Sequence, residues 1–182
     1  MIRSFIGLPL PEHAVRGLQS LQTGLPIARA VEPENLHLTL AFLDNQPEAM
    51  LRSLAEDLGE IRFDPFEIRL SGISLLGGKQ PGAIAVNADG GDTLVALQAR
   101  IAHTVRMVGI ELERRRFRPH VTIFRLHKHL DQRGHEKIQG WIDRFARFEA
   151  IPYSVDRFAL FESRLSKNGA SHFVLAEYFQ EG

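Results

Sequence analysis

The chain has 182 residues, of which 44% are hydrophobic and 24% charged, with 22 basic and 22 acidic side chains and no cysteine. That size and composition fit one globular domain or two small lobes sharing a core. Zero net charge argues against a surface that grips long nucleic acid or an anionic membrane over its whole extent, and the lack of cysteine excludes disulfides, thiolate nucleophiles and cysteine-ligated zinc.

In chain order, IRSFIGL (2–8) reads as a strand stopped by Pro9 and Pro11. Its apolar run is too short for a secretory signal, and nothing later reaches membrane-spanning length. A soluble, cytoplasmic protein without membrane contact is therefore expected. A helix is predicted from Pro11 to about Gln22, with Val15, Leu18, Leu21 and Leu25 on one face and Gly24 and Pro26 ending it. LHLTLAFL (36–43) is a strand. QPEAMLRSLAEDLGEI (46–61) is an amphipathic helix with proline near its first turn and a stripe of Leu51, Leu54, Leu58 and Ile61. FEIRLSGISLLG (66–77) is a long strand bent or bulged at Gly72. GGKQPG (77–82) lacks the spacing of a phosphate-binding loop and reads as a hairpin turn into the strand GAIAVNA (82–88). DTLVALQARIAHTVRMVG (92–109) is a helix capped by Asp92 or Thr93 and stopped by Gly109. HVTIFRL (120–126) is a strand, DQRGHEKIQGWIDRFARF (131–148) a helix, IPYSVDRFALFES (151–163) a long strand and SHFVLAEYF (171–179) a closing one.

The order of elements repeats. Ile2 lies 35 residues before His37, Ala83 lies 37 before His120, and the two histidines are 83 apart. Strand, helix, His-x-Thr strand, helix and long strand follow one another in both halves. The expected fold is α+β: one bilobal domain over 1–182, built from an internal repeat of about 1–82 and 83–182. Two lobes related by a pseudo-two-fold each carry an antiparallel sheet with helices on its outer face, and a cleft lies between them.

Side chains alternate faces along a strand. His37 and Thr39 share one face while Leu38 and Leu40 share the other; His120 and Thr122 face one way, Val121 and Ile123 the other. With eight histidines and five threonines, chance spacing gives only about 0.2 His-x-Thr pairs in the chain. Two such pairs at the same place in a repeat point to one site holding two imidazoles and two hydroxyls. Such a site suits a phosphodiester without a metal. One imidazole takes a proton from water, the other gives one to the leaving oxygen, and the hydroxyls donate to non-bridging phosphoryl oxygens. Near-symmetry leaves the direction of proton transfer open.

PENLHLTLAFL (33–43) and FRPHVTIFR (117–125) resemble the two signature motifs of the two-histidine phosphoesterase superfamily, and more narrowly the RNA 2′,3′-cyclic phosphodiesterase / 2′-5′ RNA ligase family. RSFIGLPLPE (3–12) and FALFESRLSKNGASHFVLAEYF (158–179) resemble that family's ends. The resemblance implies hydrolysis of a 2′,3′-cyclic phosphate on RNA or a small nucleotide to a 2′-phosphate, with no metal or cofactor. It also implies reversible joining of RNA ends through a 2′-5′ linkage. It suggests His37 as proton donor, His120 as proton acceptor, and Thr39 and Thr122 as phosphate ligands. A monomer is expected. Asp44 departs from the family, which often has glycine there; a local loop change is expected. The alternatives are a non-catalytic module that binds RNA ends or nucleotides, and a phosphodiesterase for another cyclic phosphate or a 2′-5′ oligonucleotide.

Other residues are candidates for substrate contact. Arg114, Arg115, Arg116 and Arg118, just before His120, read either as a basic lip for an RNA end or as a solvated edge. Arg125 resembles an arginine that the family often carries, there able to meet substrate phosphate or base; strict alternation turns it away from His120, and a bulge or the strand's end would turn it back. Phe124 shares the His120 face and is a stacking candidate, as is Phe5, whereas Phe42 is expected in the core. His127, Lys128 and His129 read as a solvated loop rather than a metal site, and His103 and His172 as structural.

Overall fold

The computed structural model describes every residue except Lys79, Arg115, Lys128, His129, Lys167, Asn168, Glu181 and Gly182. Strand β1 (Ile2–Pro9) leads into helix α1 (Glu12–Leu21), the short strand β2 (Ala28–Ala30) and a single 3-10 turn, Pro33–Asn35. Then come β3 (His37–Gln46), α2 (Glu48–Leu58), β4 (Phe66–Leu76), β5 (Ala83–Asp89) and α3 (Gly91–Met107). The chain closes with β6 (His120–Leu126), α4 (Gln132–Arg144), β7 (Tyr153–Val155), β8 (Arg157–Ser166) and β9 (Gly169–Phe179). Among the described residues no helix is long and apolar enough to cross a membrane.

Differences from the predicted elements have local causes. Gly90, not Asp92 or Thr93, precedes α3, and its first turn is served from outside when Asp89 Oδ1 accepts from Gly91 N at 2.9 Å. The segment predicted as one strand from Ile151 is two. β7 pairs with β4 and β8 with β1, and Asp156 separates them. β2 and the 3-10 turn, three residues each, are too short to leave a periodic pattern. Lys79 of the predicted turn lies outside the described residues, but β4 and β5, which flank it, pair antiparallel as that turn requires.

The strands form one curled sheet in the order β7-β4-β5-β6-β3-β1-β8-β9, with β2 added beside β6. Its middle is narrow: β3 meets β6 through the pair Leu38 and Val121, both fully buried. Outward from this junction the order is β3-β1-β8-β9 one way and β6-β5-β4-β7 the other. Each lobe therefore draws strands from both halves of the chain. β4 joins the sheet of β5 and β6, while β8 and β9 join that of β1 and β3. Fully buried Leu18 of α1, Leu54 of α2 and Ile101 of α3, together with Trp141 of α4, pack with Leu8, Leu38, Ile84 and Val121 into one core spanning both lobes. A small separate cluster of Phe5, Ala159 and Phe161 is also buried.

Bulges decide which residues share a face. In the β1–β3 ladder the register steps from Gly7 opposite Thr39 to Ile6 opposite Ala41, so Leu40 is an extra residue. In the β5–β6 ladder it steps from Ala85 opposite Thr122 to Ile84 opposite Phe124, so Ile123 is extra. Both bulges fall three residues after a histidine. Each shifts the following side chains by one place, so two successive residues turn inward. β4 carries the predicted bulge at Gly72, whose φ of 67° suits glycine.

Candidate active site

His37 opens β3 and His120 opens β6, and both are half-buried. Leu38 and Val121 point into the core at the junction, so alternation puts His37, Thr39, His120 and Thr122 together on the opposite face. The two rings are tethered alike. His37 Nδ1 bonds the carbonyl of Asn35 at 2.7 Å, and His120 Nδ1 bonds the carbonyl of Arg118 at 2.7 Å, each two residues back. A carbonyl can only accept, so each Nδ1 carries the proton. In the neutral ring Nε2 is then left as the acceptor free for chemistry.

The surroundings of the two rings differ. Phe5 stacks on His37 with centroids 4.4 Å apart, and His172 meets it edge-on at 4.8 Å. Among the described residues no aromatic ring packs on His120 in this way. Burial pushes the His37 proton affinity down, to a pKa of about 4. The Asn35 bond opposes this, and the positive charges of His172, Arg125 and His120 reinforce it. Gly7 makes the stack fit. A Cβ there would lie 2.8 Å from the Leu38 carbonyl oxygen and about 3.5 Å from the rings of Phe5 and His37. A cavity of about 300 Å³ opens beside His37, with His172, Phe161 and Leu36 among its walls.

Asn35 joins these parts. Its carbonyl orients His37, its side chain donates to Ala170 O at 2.9 Å, and its Oδ1 accepts from His172 N at 3.1 Å. One buried residue thus fixes the ring and pins the start of β9 beside it. Sequence reasoning missed this function of Asn35, although its place two residues before His37 matches that of Arg118 before His120. His172, read as structural, faces His37. Its Nδ1 is buried and has no hydrogen-bond partner among the described residues, and burial followed by the charge of Arg125 lowers its pKa.

The bulges overturn two expected orientations and decide a third that was open. Phe124 is 2% exposed and packs edge-on to Trp141 at 5.4 Å, so it belongs to the core and offers no stacking surface. Phe42, expected in the core, is 58% exposed. Arg125 is exposed, and its charge acts on both His37 and His172, so it lies on the histidine side despite the odd step from His120. Phe42 and Arg125 are each five residues past their histidine, and equivalent bulges turn both outward. Phe5 is buried under His37 rather than open to a base. Arg114, Arg116 and Arg118 are exposed, and Arg118 meets the site through its carbonyl. Arg115, Lys128 and His129 lie outside the described residues; His127 and His103 are exposed. Asp44 lies within β3 with φ 55°, a left-handed conformation that glycine adopts freely and aspartate tolerates. The departure from glycine therefore concerns a strand irregularity and not a loop.

Residues 9–167, which include both histidine strands, match the profile of the 2′-5′ RNA ligase superfamily. The chain belongs to that superfamily. An RNA 2′,3′-cyclic phosphodiesterase of Thermotoga maritima is 32% identical over 155 residues, 84% of this chain and 79% of its own. One from Bacillus subtilis is 30% identical over 127 residues, 66% of this chain and 69% of its own. One from Aquifex aeolicus is 27% identical over an alignment of 191 positions that covers 100% of this chain and 99% of the other. Among solved structures, E. coli LigT complexed with 3′-AMP superposes with a TM-score of 0.81 at 19% identity, covering 100% of this chain and 99% of that one. A protein of Thermus thermophilus gives 0.77 at 23%, with the same coverage. These likenesses establish the α+β fold of the 2′-5′ RNA ligase superfamily for this chain.

Proposed function

We propose that the protein hydrolyses RNA or nucleotide 2′,3′-cyclic phosphates to 2′-phosphates, using His37 and His120 as a general acid and base. The carrying observation is the repeated tether: two rings on one face, each held through Nδ1 by the carbonyl two residues back, with neither Nε2 hydrogen-bonded among the described residues. Relatives named RNA 2′,3′-cyclic phosphodiesterase support the substrate class.

In this reading the phosphate sits between the histidines, and the Thr39 and Thr122 hydroxyls donate to its non-bridging oxygens. His120 Nε2 takes a proton from water as the water oxygen bonds to phosphorus. The bond from phosphorus to the 3′ oxygen breaks, and His37 Nε2–H protonates that oxygen. Burial keeps His37 neutral in the free protein. The charge of a bound phosphate offsets that penalty, so the ring takes up its proton together with the substrate. Replacing water by a 5′-hydroxyl uses the same two groups and joins RNA ends through a 2′-5′ linkage.

The test is turnover of a 2′,3′-cyclic nucleotide in excess chelator. Wild type is expected to be active and to leave the phosphate on the 2′ oxygen. His37→Ala and His120→Ala are each expected to lose about 10³-fold or more in kcat. Full activity in either variant, or dependence on added metal, contradicts the reading.

A further inference from the structure

Outside the two paired motifs, one more imidazole faces the site. Phe5 pairs with Phe161 and Phe161 with Val174, so the three share a face, and His172 lies two places before Val174 on β9. Alternation turns it to the histidine side, where its ring centroid is 4.8 Å from those of both Phe5 and His37. Asn35 fixes this placement. Its Nδ2 donates to Ala170 O at 2.9 Å and its Oδ1 accepts from His172 N at 3.1 Å, so the residue that orients His37 also clamps the backbone of β9 at His172. The His172 ring itself makes no hydrogen bond among the described residues. A proton on its buried Nδ1 would be a donor with no acceptor, an unmade bond costing about 1–3 kcal/mol, so the neutral ring carries its proton on Nε2. Burial, then the charge of Arg125, lowers the proton affinity of the ring. His172 and His37 line the same cavity of about 300 Å³. A neutral N–H donor is thus held beside His37, and no acceptor among the described residues takes it up.

We propose that His172 is a third imidazole of the catalytic site, its Nε2–H donating to a non-bridging phosphoryl oxygen of the bound cyclic phosphate on the His37 side. The inference rests on the phosphodiesterase reading and deepens it. A donor held in place before the substrate arrives stabilises the phosphoryl oxygens where charge collects in the transition state. His172 keeps its proton throughout, so it takes no part in the proton transfers at His37 and His120. Its neutrality matters, because a positive charge on His172 lowers the proton affinity of His37, which must hold a proton to act as the acid. The two threonines donate from β3 and β6 at the middle of the sheet, and His172 donates from β9 at its edge. The phosphate is therefore gripped from three strands.

The test measures kcat and KM on a 2′,3′-cyclic mononucleotide for wild type and three variants. His172→Phe keeps a ring and removes the donor, His172→Leu removes the donor with a smaller side chain, and His172→Gln returns an amide N–H near the place of Nε2. The two variants without a donor are expected to lose about 100-fold in kcat with KM changed by less than about threefold. His172→Gln is expected to stay within about fivefold of wild type. The residue is half-buried on an edge strand, so all three should fold, and thermal unfolding checks this. The same comparison on a cyclic phosphate with sulfur in place of the 3′ oxygen separates a phosphate donor from a residue that only positions His37. Loss of the acid is forgiven on that substrate, whereas the loss in His172→Phe and His172→Leu should persist. Wild-type kcat in the variants without a donor, equal loss in all three, or recovery on the sulfur substrate overturns the role of His172 alone. Absence of turnover by wild type overturns the phosphodiesterase reading and this role with it.

Discussion

The strands beginning at His37 and His120 share their geometry and differ in what surrounds it. Each ring is tethered two residues back, each strand bulges three residues on, and each turns its sixth residue outward. Yet His37 is stacked on Phe5, flanked by His172 and pushed toward neutrality, while His120 lies opposite Asn87, whose Oδ1 accepts from Ser74. Gly7 stands opposite Thr39, where the other lobe has Ala85 opposite Thr122. Backbone repetition thus turns two identical groups to one face, and the surroundings of His37 lower its proton affinity by burial.

Several changes should widen or erase this contrast. The largest effect concerns pH. His37 binds its proton less readily in the folded protein than in the unfolded chain, so the unfolded state takes up more protons between its own pKa near 6.5 and the folded value of about 4. The stability linked to a neutral His37 is fully present above pH 6.5 and is lost as pH falls toward 4, amounting to about 3 kcal/mol. Denaturant unfolding across that range should show a distinctly flatter acid limb for His37→Gln than for wild type.

Next come the hydroxyls. Thr39→Val and Thr122→Val should each lower kcat by about 100-fold, with similar size because both strands present the hydroxyl alike. A hundredfold loss in one and none in the other would place the phosphate in a single lobe. At the cross-strand positions the contrast reverses. Gly7→Ala should cost about 2 kcal/mol by overpacking against the Leu38 carbonyl and should also depress kcat by disturbing the His37 ring. Ala85→Gly should cost about 1–2 kcal/mol, from backbone entropy and the lost buried methyl, and should leave kcat nearly unchanged. Thermal unfolding and kcat measured on both variants check this pair. The smallest effect is at Asp44. Asp44→Gly relieves a left-handed residue but loses the exposed pair with Arg3, so a net gain of about 0.5 kcal/mol is expected in chemical denaturation.

Much of the fold was legible because periodicity is local. The stripe of Leu51, Leu54, Leu58 and Ile61 is buried as alternation of helix turns requires, and β6 spans the predicted residues. The shared face of the two His-x-Thr motifs was legible because a motif repeated at one place in a repeat outweighs either copy. The orientations of Phe42 and Phe124 were not, and that of Arg125 stayed open, since a single extra residue in a ladder inverts every later face and leaves no compositional mark. Asn35 and His172 were hidden for another reason. Each acts through a contact with a distant segment: Asn35 with Ala170 and His172 with His37.

A 2′,3′-cyclic phosphate carrying sulfur in place of the 3′ oxygen separates the roles of the two histidines. A departing thiolate needs no proton, so the loss of a proton donor is forgiven and the loss of a proton acceptor is not. His37→Ala should recover about 100-fold or more of its lost kcat on this substrate, and His120→Ala should recover none. Recovery by His120→Ala instead, or equal recovery by both, would contradict the assignment of His37 as donor and His120 as acceptor.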